Sequence, residues 1–314
     1  MEQLGIVQFA AFFMGLLFGS FLNACISRIP QRESIVTPRS RCTGCGAPIR
    51  WHDNIPLLSW LLLRGRCRDC KQAISMRYPL VELAVGLWFA GIAGTFASRY
   101  SRAHEFGNVV SSGDFPIAIA ALSVAILGFL LIGLMVMDWQ TMMLPDAFTL
   151  SGIAIGVLLV CLQAVFLGPG EDQVVLNTTH QLRLNSPGSF ISRGNVFLTG
   201  PEALIFGRIA AACGAALLLL LIRWIYKAVR HREGMGLGDV KLLAMIAAFL
   251  GLGPSILALF AGVIAASLYG AVLLARGEAG AATKLPFGSF LCAGGLVSAL
   301  FGNALIDRYI AFFR

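Results

Sequence analysis

Two aspartates stand at the edges of apolar segments in this chain, where a bare charge is costly. Asp239 lies in the run Gly234 to Leu243, where a loop with glycines at 234, 236 and 238 enters an apolar segment. Asp138 ends another apolar segment and opens the run Asp138-Trp-Gln-Thr-Met-Met-Leu-Pro-Asp146. An ionisable residue at membrane depth is by default a functional candidate, and two carboxyls sharing one proton can activate water and protonate a carbonyl. The structural alternative for Asp239 is a helix N-cap, since aspartate before an apolar run satisfies free backbone N–H groups. Asp146 has a structural explanation of its own, because Pro145 suits a first helical turn and a carboxylate there favours the N-terminal dipole. Asp138 sits at a helix C-terminus, where the dipole opposes negative charge. Asp138 is therefore the stronger chemical candidate of the two in that run.

A second constellation is Cys42, Cys45, Cys67 and Cys70, two CxxC pairs with twenty-one residues between them. Each pair presents two thiolates on one tight turn, and two such knuckles make a closed tetrahedral site typical of structural zinc. A redox dithiol does not explain having two pairs, and a compartment that keeps thiols reduced disfavours two disulfides. A segment of about fifty residues has a thin core, so a metal staple makes physical sense. Cys25, Cys161, Cys213 and Cys292 fall in apolar segments and read as small buried hydrophobes. The four histidines, His52, His104, His180 and His231, are scattered, with no HExxH and no GxSxG anywhere. That leaves the usual zinc-protease and serine-hydrolase motifs out.

The elements that must position these groups are membrane helices. The 314 residues are 57% hydrophobic and 13% charged, with mean hydropathy +0.79, far from a soluble average. Apolar segments near 4–26, 79–97, 116–137, 147–168, 204–226, 239–252, 255–276 and 286–305 predict about eight transmembrane helices in an all-α polytopic membrane protein, with both termini on one side. The sixth is short and is the weak point of that count. The opening segment is too long for a signal h-region and lacks a basic n-region. Ten basic residues fall within 27–78, and Arg223, Lys227, Arg230, Arg232 and Lys241 gather around the Gly-rich loop, against two each in 98–115 and 169–203. The excess of positive charge puts 27–78 and both aspartates on the cytoplasmic side. Because the net charge of +8 sits in blocks between apolar segments, it suits membrane orientation and not nucleic acid. The chain divides into a first transmembrane helix at 1–26, a cytoplasmic zinc-binding domain at 27–78 and a membrane-embedded domain carrying both aspartates at 79–314, with a polar exterior loop at 169–203.

Read together, these stretches resemble one family. The run from Pro38-Arg-Ser-Arg-Cys42 through Trp51-His-Asp-Asn-Ile-Pro to Arg77-Tyr-Pro-Leu-Val-Glu82 looks like the cytoplasmic domain of type IV prepilin peptidases. Gly19-Ser-Phe-Leu-Asn23 with Arg28-Ile-Pro30 is similar to that family's first helix and its exit, Asp138 to Asp146 to its first aspartate motif, and Gly236-Leu-Gly238-Asp239 to its GxGD motif. The resemblance implies a bifunctional enzyme of the bacterial inner membrane. Asp138 and Asp239 would be its catalytic pair, removing the basic leader of type IV prepilins or type II secretion pseudopilins at the cytoplasmic face. The new N-terminal amine would then be methylated with S-adenosylmethionine. No strand-flanked GxGxxG accompanies that second activity, so the methyl-donor site is unassigned. The 169–203 stretch is longer than the family pattern. Two other classes fit parts of the sequence. One is an ion- or proton-coupled transporter using Asp138 and Asp239, although both map to one surface and no internal repeat is evident. The other is a noncatalytic zinc-domain scaffold for an assembly machine.

Overall fold

The computed structural model describes residues 2–37, 39–105, 114–166, 175–176, 182–183, 201–231, 235–277 and 285–312. Its helices are α1 (Glu2–Arg28), α2 (Leu58–Leu62), α3 (Arg77–Glu105), α4 (Asp114–Thr141), α5 (Asp146–Phe166), α6 (Pro201–Arg230), α7 (Leu237–Leu250), α8 (Leu252–Ala275) and α9 (Phe287–Phe312). Among the described residues, seven helices are long and apolar enough to cross a bilayer, namely α1, α3, α4, α5, α6, α8 and α9. The all-α membrane architecture expected from the sequence is the one found. The sixth apolar segment differs. As α7 it has 14 residues, about 21 Å at the α-helical rise, well short of a roughly 30 Å hydrocarbon core.

That short helix is sheltered by protein. Ten of its fourteen residues are buried, among α5, α6, α8 and α9; a helix apolar on every face is stable only where every face is covered. At its end Gly251 adopts φ +88°, and a Cβ there would lie 2.9 Å from the Arg208 guanidinium of α6. The chain then reverses directly into α8, so α7 still alternates direction with its neighbours.

Between lipid-facing helices there is little hydrophobic drive, and close backbone approach does the work. Gly15 and Gly19 of α1 lie one helical turn apart on the face against α3; a Cβ would meet Gly86 Cα at 2.8 Å and Glu82 Cα at 2.6 Å respectively. The same device joins α8 to α9, where a Cβ on Gly294 would reach the Ala258 carbonyl and one on Gly262 would sit 3.0 Å from Leu291 Cα. The core between these pairs is built from Leu22, Leu127, Leu131, Leu134, Met137, Leu243, Met245 and Leu291. Cys25 and Cys292 are buried in it as expected, but Cys213 is exposed and Cys161 only partly covered. Exposure of a thiol to an apolar surrounding carries no solvation penalty like that of a charged group.

Several contacts gather the functional ends of the helices. Asn23 Nδ2 near the end of α1 donates to the Tyr78 carbonyl at the start of α3 at 2.9 Å. Arg77 donates to Gln140 of α4 at 2.7 Å and to Ser27 of α1 at 3.0 Å. Lys241 of α7 meets Asp146 of α5 at 2.6 Å. The ends of α1 and α4 and the starts of α3, α5 and α7 therefore share one end of the bundle, and the cysteine-bearing segment between α1 and α3 sits there too. The readings made for 169–203 fall outside the described residues, apart from a two-residue antiparallel ladder pairing Val175–Leu176 with Leu182–Arg183 and the start of α6.

Candidate active site

Asp138 occupies the last turn of α4, and its side chain turns into the bundle, leaving it 5% exposed. Asp239 comes to the same place from α7. Gly236 is the N-cap of that helix, so Asp239 is its third helical residue and not the N-cap that stood as its structural alternative. Its carboxylate faces back toward the Gly236 backbone N–H, and it is 9% exposed. The two carboxyls lie within electrostatic range of each other and of the fully buried Cys292. Two residues 101 positions apart in the sequence are thus brought together at one end of the bundle.

The third contributor was not legible in the sequence. The first turn of α9 runs directly against Asp138, and Gly288 makes that approach possible: a Cβ there would lie 3.0 Å from Asp138 Oδ2 and 2.9 Å from Leu144. With that side chain absent, the Ser289 backbone N–H donates to Asp138 Oδ2 at 2.7 Å, and the Ser289 hydroxyl lies 3.0 Å from the same oxygen. The start of α9 therefore opposes the unfavourable C-terminal dipole of α4, on which the sequence argument about Asp138 rested. The only available signal was a serine two residues into an apolar helix after Leu285-Pro286, which is too common to single out.

Asp146 behaves as its sequence context suggested. Pro145 accepts backbone hydrogen bonds from Phe148 and Thr149 at 3.0 and 3.2 Å, and Asp146 opens α5 with its carboxylate 60% exposed and paired with Lys241. This ion pair ties the first turn of α5 to the first turn of α7, two residues after Asp239.

The four cysteines converge as well. Their sulfurs all lie within 4.8 Å of one another, and Cys42 Sγ is 3.7 Å from Cys70 Sγ. A tetrahedral ion with metal–sulfur bonds of about 2.3 Å needs sulfurs about 3.8 Å apart, so the donor set fits. The two halves repeat one turn. Cys42 N donates to Ala47 O and Cys67 N to Gln72 O; Gly46 N returns to Cys42 O and Lys71 N to Cys67 O. The residue after each second cysteine, Gly46 or Lys71, has positive φ. Backbone N–H groups of Cys45 and Gly44 aimed at Cys42 lower its thiol pKa to about 6, which favours the thiolate that a metal requires. Around this centre, Arg68 forks onto Asp53 at 2.8 and 2.5 Å, and Trp60 Nε1 donates to the Ile74 carbonyl at 3.2 Å. The segment is anchored to α3 by Glu82, which accepts from the Leu57 N–H at 2.8 Å.

Two regions of the chain match family profiles. Residues 13–96 match the bacterial peptidase A24 N-terminal domain, and residues 189–271 match the type IV leader peptidase family. The chain is also similar, over nearly its whole length, to curated relatives named prepilin leader peptidase/N-methyltransferase. It is 30% identical to that of Stutzerimonas stutzeri, covering 97% of this chain and 94% of the relative. It is 32% identical to that of Burkholderia pseudomallei strain 1026b, over 93% and 85% of the two chains. The chain belongs to the type IV leader peptidase family. The relative from Myxococcus xanthus is 34% identical over 87% of this chain and 65% of its own. No solved structure matches.

The N-terminal profile covers the second half of α1, the cysteine segment and most of α3, whereas the second profile includes Asp239 and α7 but not Asp138. Asp138 lies between the two matched regions, so only one member of the aspartate pair falls within a profile. The burial around it leaves few groups in reach: the two carboxyls, the Ser289 donors and the Cys292 thiol. Such a site can hold and transfer protons through its two carboxyls.

Proposed function

We propose that this chain is a membrane aspartic endopeptidase that removes the leader of type IV prepilins or type II secretion pseudopilins and then N-methylates the new N-terminus. What carries the reading is the burial of Asp138 and Asp239 within electrostatic range of each other at one end of the bundle, in a chain of the leader peptidase family. The curated relatives bear both activities in their names, and no observation supports a transporter that uses the same aspartates.

In the cleavage step one carboxylate takes a proton from water, whose oxygen attacks the scissile carbonyl. The other carboxyl donates its proton to the carbonyl oxygen. Collapse of the tetrahedral intermediate then breaks the C–N bond, and a proton passes to the leaving amine. Burial excludes bulk water and strengthens each electrostatic interaction. Basic residues between α1 and α3 and around the Gly-rich loop orient this end toward the cytoplasm of a bacterial inner membrane, where the basic leader resides. The substrate's apolar helix can enter sideways from the bilayer.

Zinc is the metal that suits four thiolates on two tight turns, in a closed site with no open position. Cys42, Cys45, Cys67 and Cys70 would hold it, and its role there is structural. S-adenosylmethionine would supply an electrophilic methyl group for the second activity. A cavity of about 1290 Å³ bordered by α1, α3 and the cysteine segment is roomy enough for a nucleoside-sized ligand. Asn23 Oδ1 and Arg77 Nε, both buried beside it, have no hydrogen-bond partner, so Asn23 and Arg77 are the residues that would hold the methyl donor. Incubating the purified protein with a prepilin, with and without S-adenosylmethionine, tests both steps. Loss of the leader and a methylated N-terminus by mass spectrometry are expected; an intact leader refutes the reading.

A further inference from the structure

The Ser289 hydroxyl has one hydrogen and two acceptors within reach. Asp138 Oδ2 lies 3.0 Å away and the Met135 carbonyl, one turn earlier on α4, lies 2.9 Å away. A hydroxyl donates to only one of these at a time and can accept through its lone pairs. Ser289 is 3% exposed, so water does not substitute easily for either contact. Its backbone N–H is shared between Oδ2 at 2.7 Å and the Pro286 carbonyl at 3.2 Å.

We propose that Ser289 is a positioning residue that serves Asp138 in both of its protonation states, binding Oδ2 so that the chemistry is left to Oδ1. This rests on the aspartate-pair reading above. When Asp138 is a carboxylate, the hydroxyl donates to Oδ2. When Asp138 carries its proton on Oδ1, the Ser289 backbone N–H still holds Oδ2, now a weaker acceptor, and the serine's own hydrogen turns to the Met135 carbonyl. The exchange is a rotation about Cβ–Oγ and moves no heavy atom. A residue that must alternate between base and acid within one turnover would otherwise leave a buried donor or acceptor unpaired in one of its states. The Met135 carbonyl belongs to the same helix as Asp138, so the second acceptor moves with the carboxyl it serves. Alanine at 289 would retain the backbone donor and lose the adaptable one; threonine would retain both.

The test uses full-length protein in phosphatidylethanolamine/phosphatidylglycerol vesicles with a purified prepilin, reading kcat and KM for leader cleavage. Ser289→Ala should lower kcat roughly 10- to 100-fold, the range for a hydrogen bond to a charged group, with KM within about twofold of wild type. Ser289→Thr should restore kcat to within about threefold, because its hydroxyl can make the same contacts. Ser289→Cys preserves volume and offers only a weak donor, so it should resemble alanine and covers the case in which alanine does not fold. Wild-type kcat in the alanine and cysteine variants, or a threonine variant as slow as alanine, would overturn the proposal. So would a change confined to KM. Asp138→Asn in the same vesicles separates the two ideas. If Asp138→Asn cleaves normally, the aspartate pair itself is wrong. An inactive Asp138→Asn beside a fully active Ser289→Ala sinks only the role of the serine.

Discussion

Replacing the three aspartates of this end one at a time separates chemistry from scaffolding. Asp138→Asn and Asp239→Asn each remove a proton-transfer group from a buried pair, and general acid–base catalysis contributes roughly 10²- to 10⁴-fold, so cleavage should fall by at least that much. Asparagine at 138 still accepts from Ser289 through its amide oxygen, so expression and insertion should persist. Asp146→Asn is the informative contrast. Its carboxylate is 60% exposed and pairs with Lys241, itself 33% exposed, at 2.6 Å. An exposed pair is worth about 0.2–1 kcal/mol, so the loss should be no more than about fivefold. Lys241→Met should cost a similar amount. The double substitution should cost less than the sum of the two, since both single changes break one contact. The assay is single-turnover leader cleavage in membrane vesicles, normalised to inserted protein. If Asp146→Asn were as inactive as Asp138→Asn, Asp146 would belong to the reacting groups and the pair would have been misassigned. Near-normal rates in Asp138→Asn or Asp239→Asn would remove the dyad altogether.

Other outcomes follow from the same geometry. One zinc per chain is expected by metal analysis, and Cys67→Ser with Cys70→Ser should abolish it and expose residues 27–78 to proteolysis; unchanged metal content would refute the tetrathiolate site. Gly19→Leu should destabilise the protein in detergent by about 1–3 kcal/mol, the usual cost of overpacking, because even its Cβ would stand 2.6 Å from Glu82 Cα. Gly5→Leu, with nothing within 4 Å, is the control and should leave the melting temperature unchanged. The Arg68 guanidinium, hydrogen-bonded to Asp53, holds that carboxyl below its ordinary value. The stabilising effect of the pair should therefore be complete above the ordinary aspartate value of about 4 and fade as pH falls through the lower folded-state value. Limited proteolysis of wild type and Arg68→Met against pH checks this, and a difference that grows on acidification would contradict it.

How the chain divides its information is plain from particular residues. The kind of solvent and seven of the eight expected crossings were legible because hydrocarbon demands long, uninterrupted apolar runs. The four-cysteine cluster was legible because both sulfurs of each CxxC pair lie on one local turn, so spacing alone sets half the geometry. Asp138 and Asp239 could be nominated, since a charge ending an apolar run has few structural excuses. Their meeting could not be read, because it depends on α7 being short enough to sit inside the bundle and on neighbours covering it. A local hydropathy window does not distinguish a short crossing from a sheltered half-length helix. The electrostatics of Asp138 show the limit most sharply. Its own helix presents a C-terminus, and sequence logic sees only that. Tertiary packing brings the N-terminal turn of α9 against it from 151 residues away, through the gap left by Gly288, and no property of Ser289 or Gly288 in isolation reveals which carboxylate they will face.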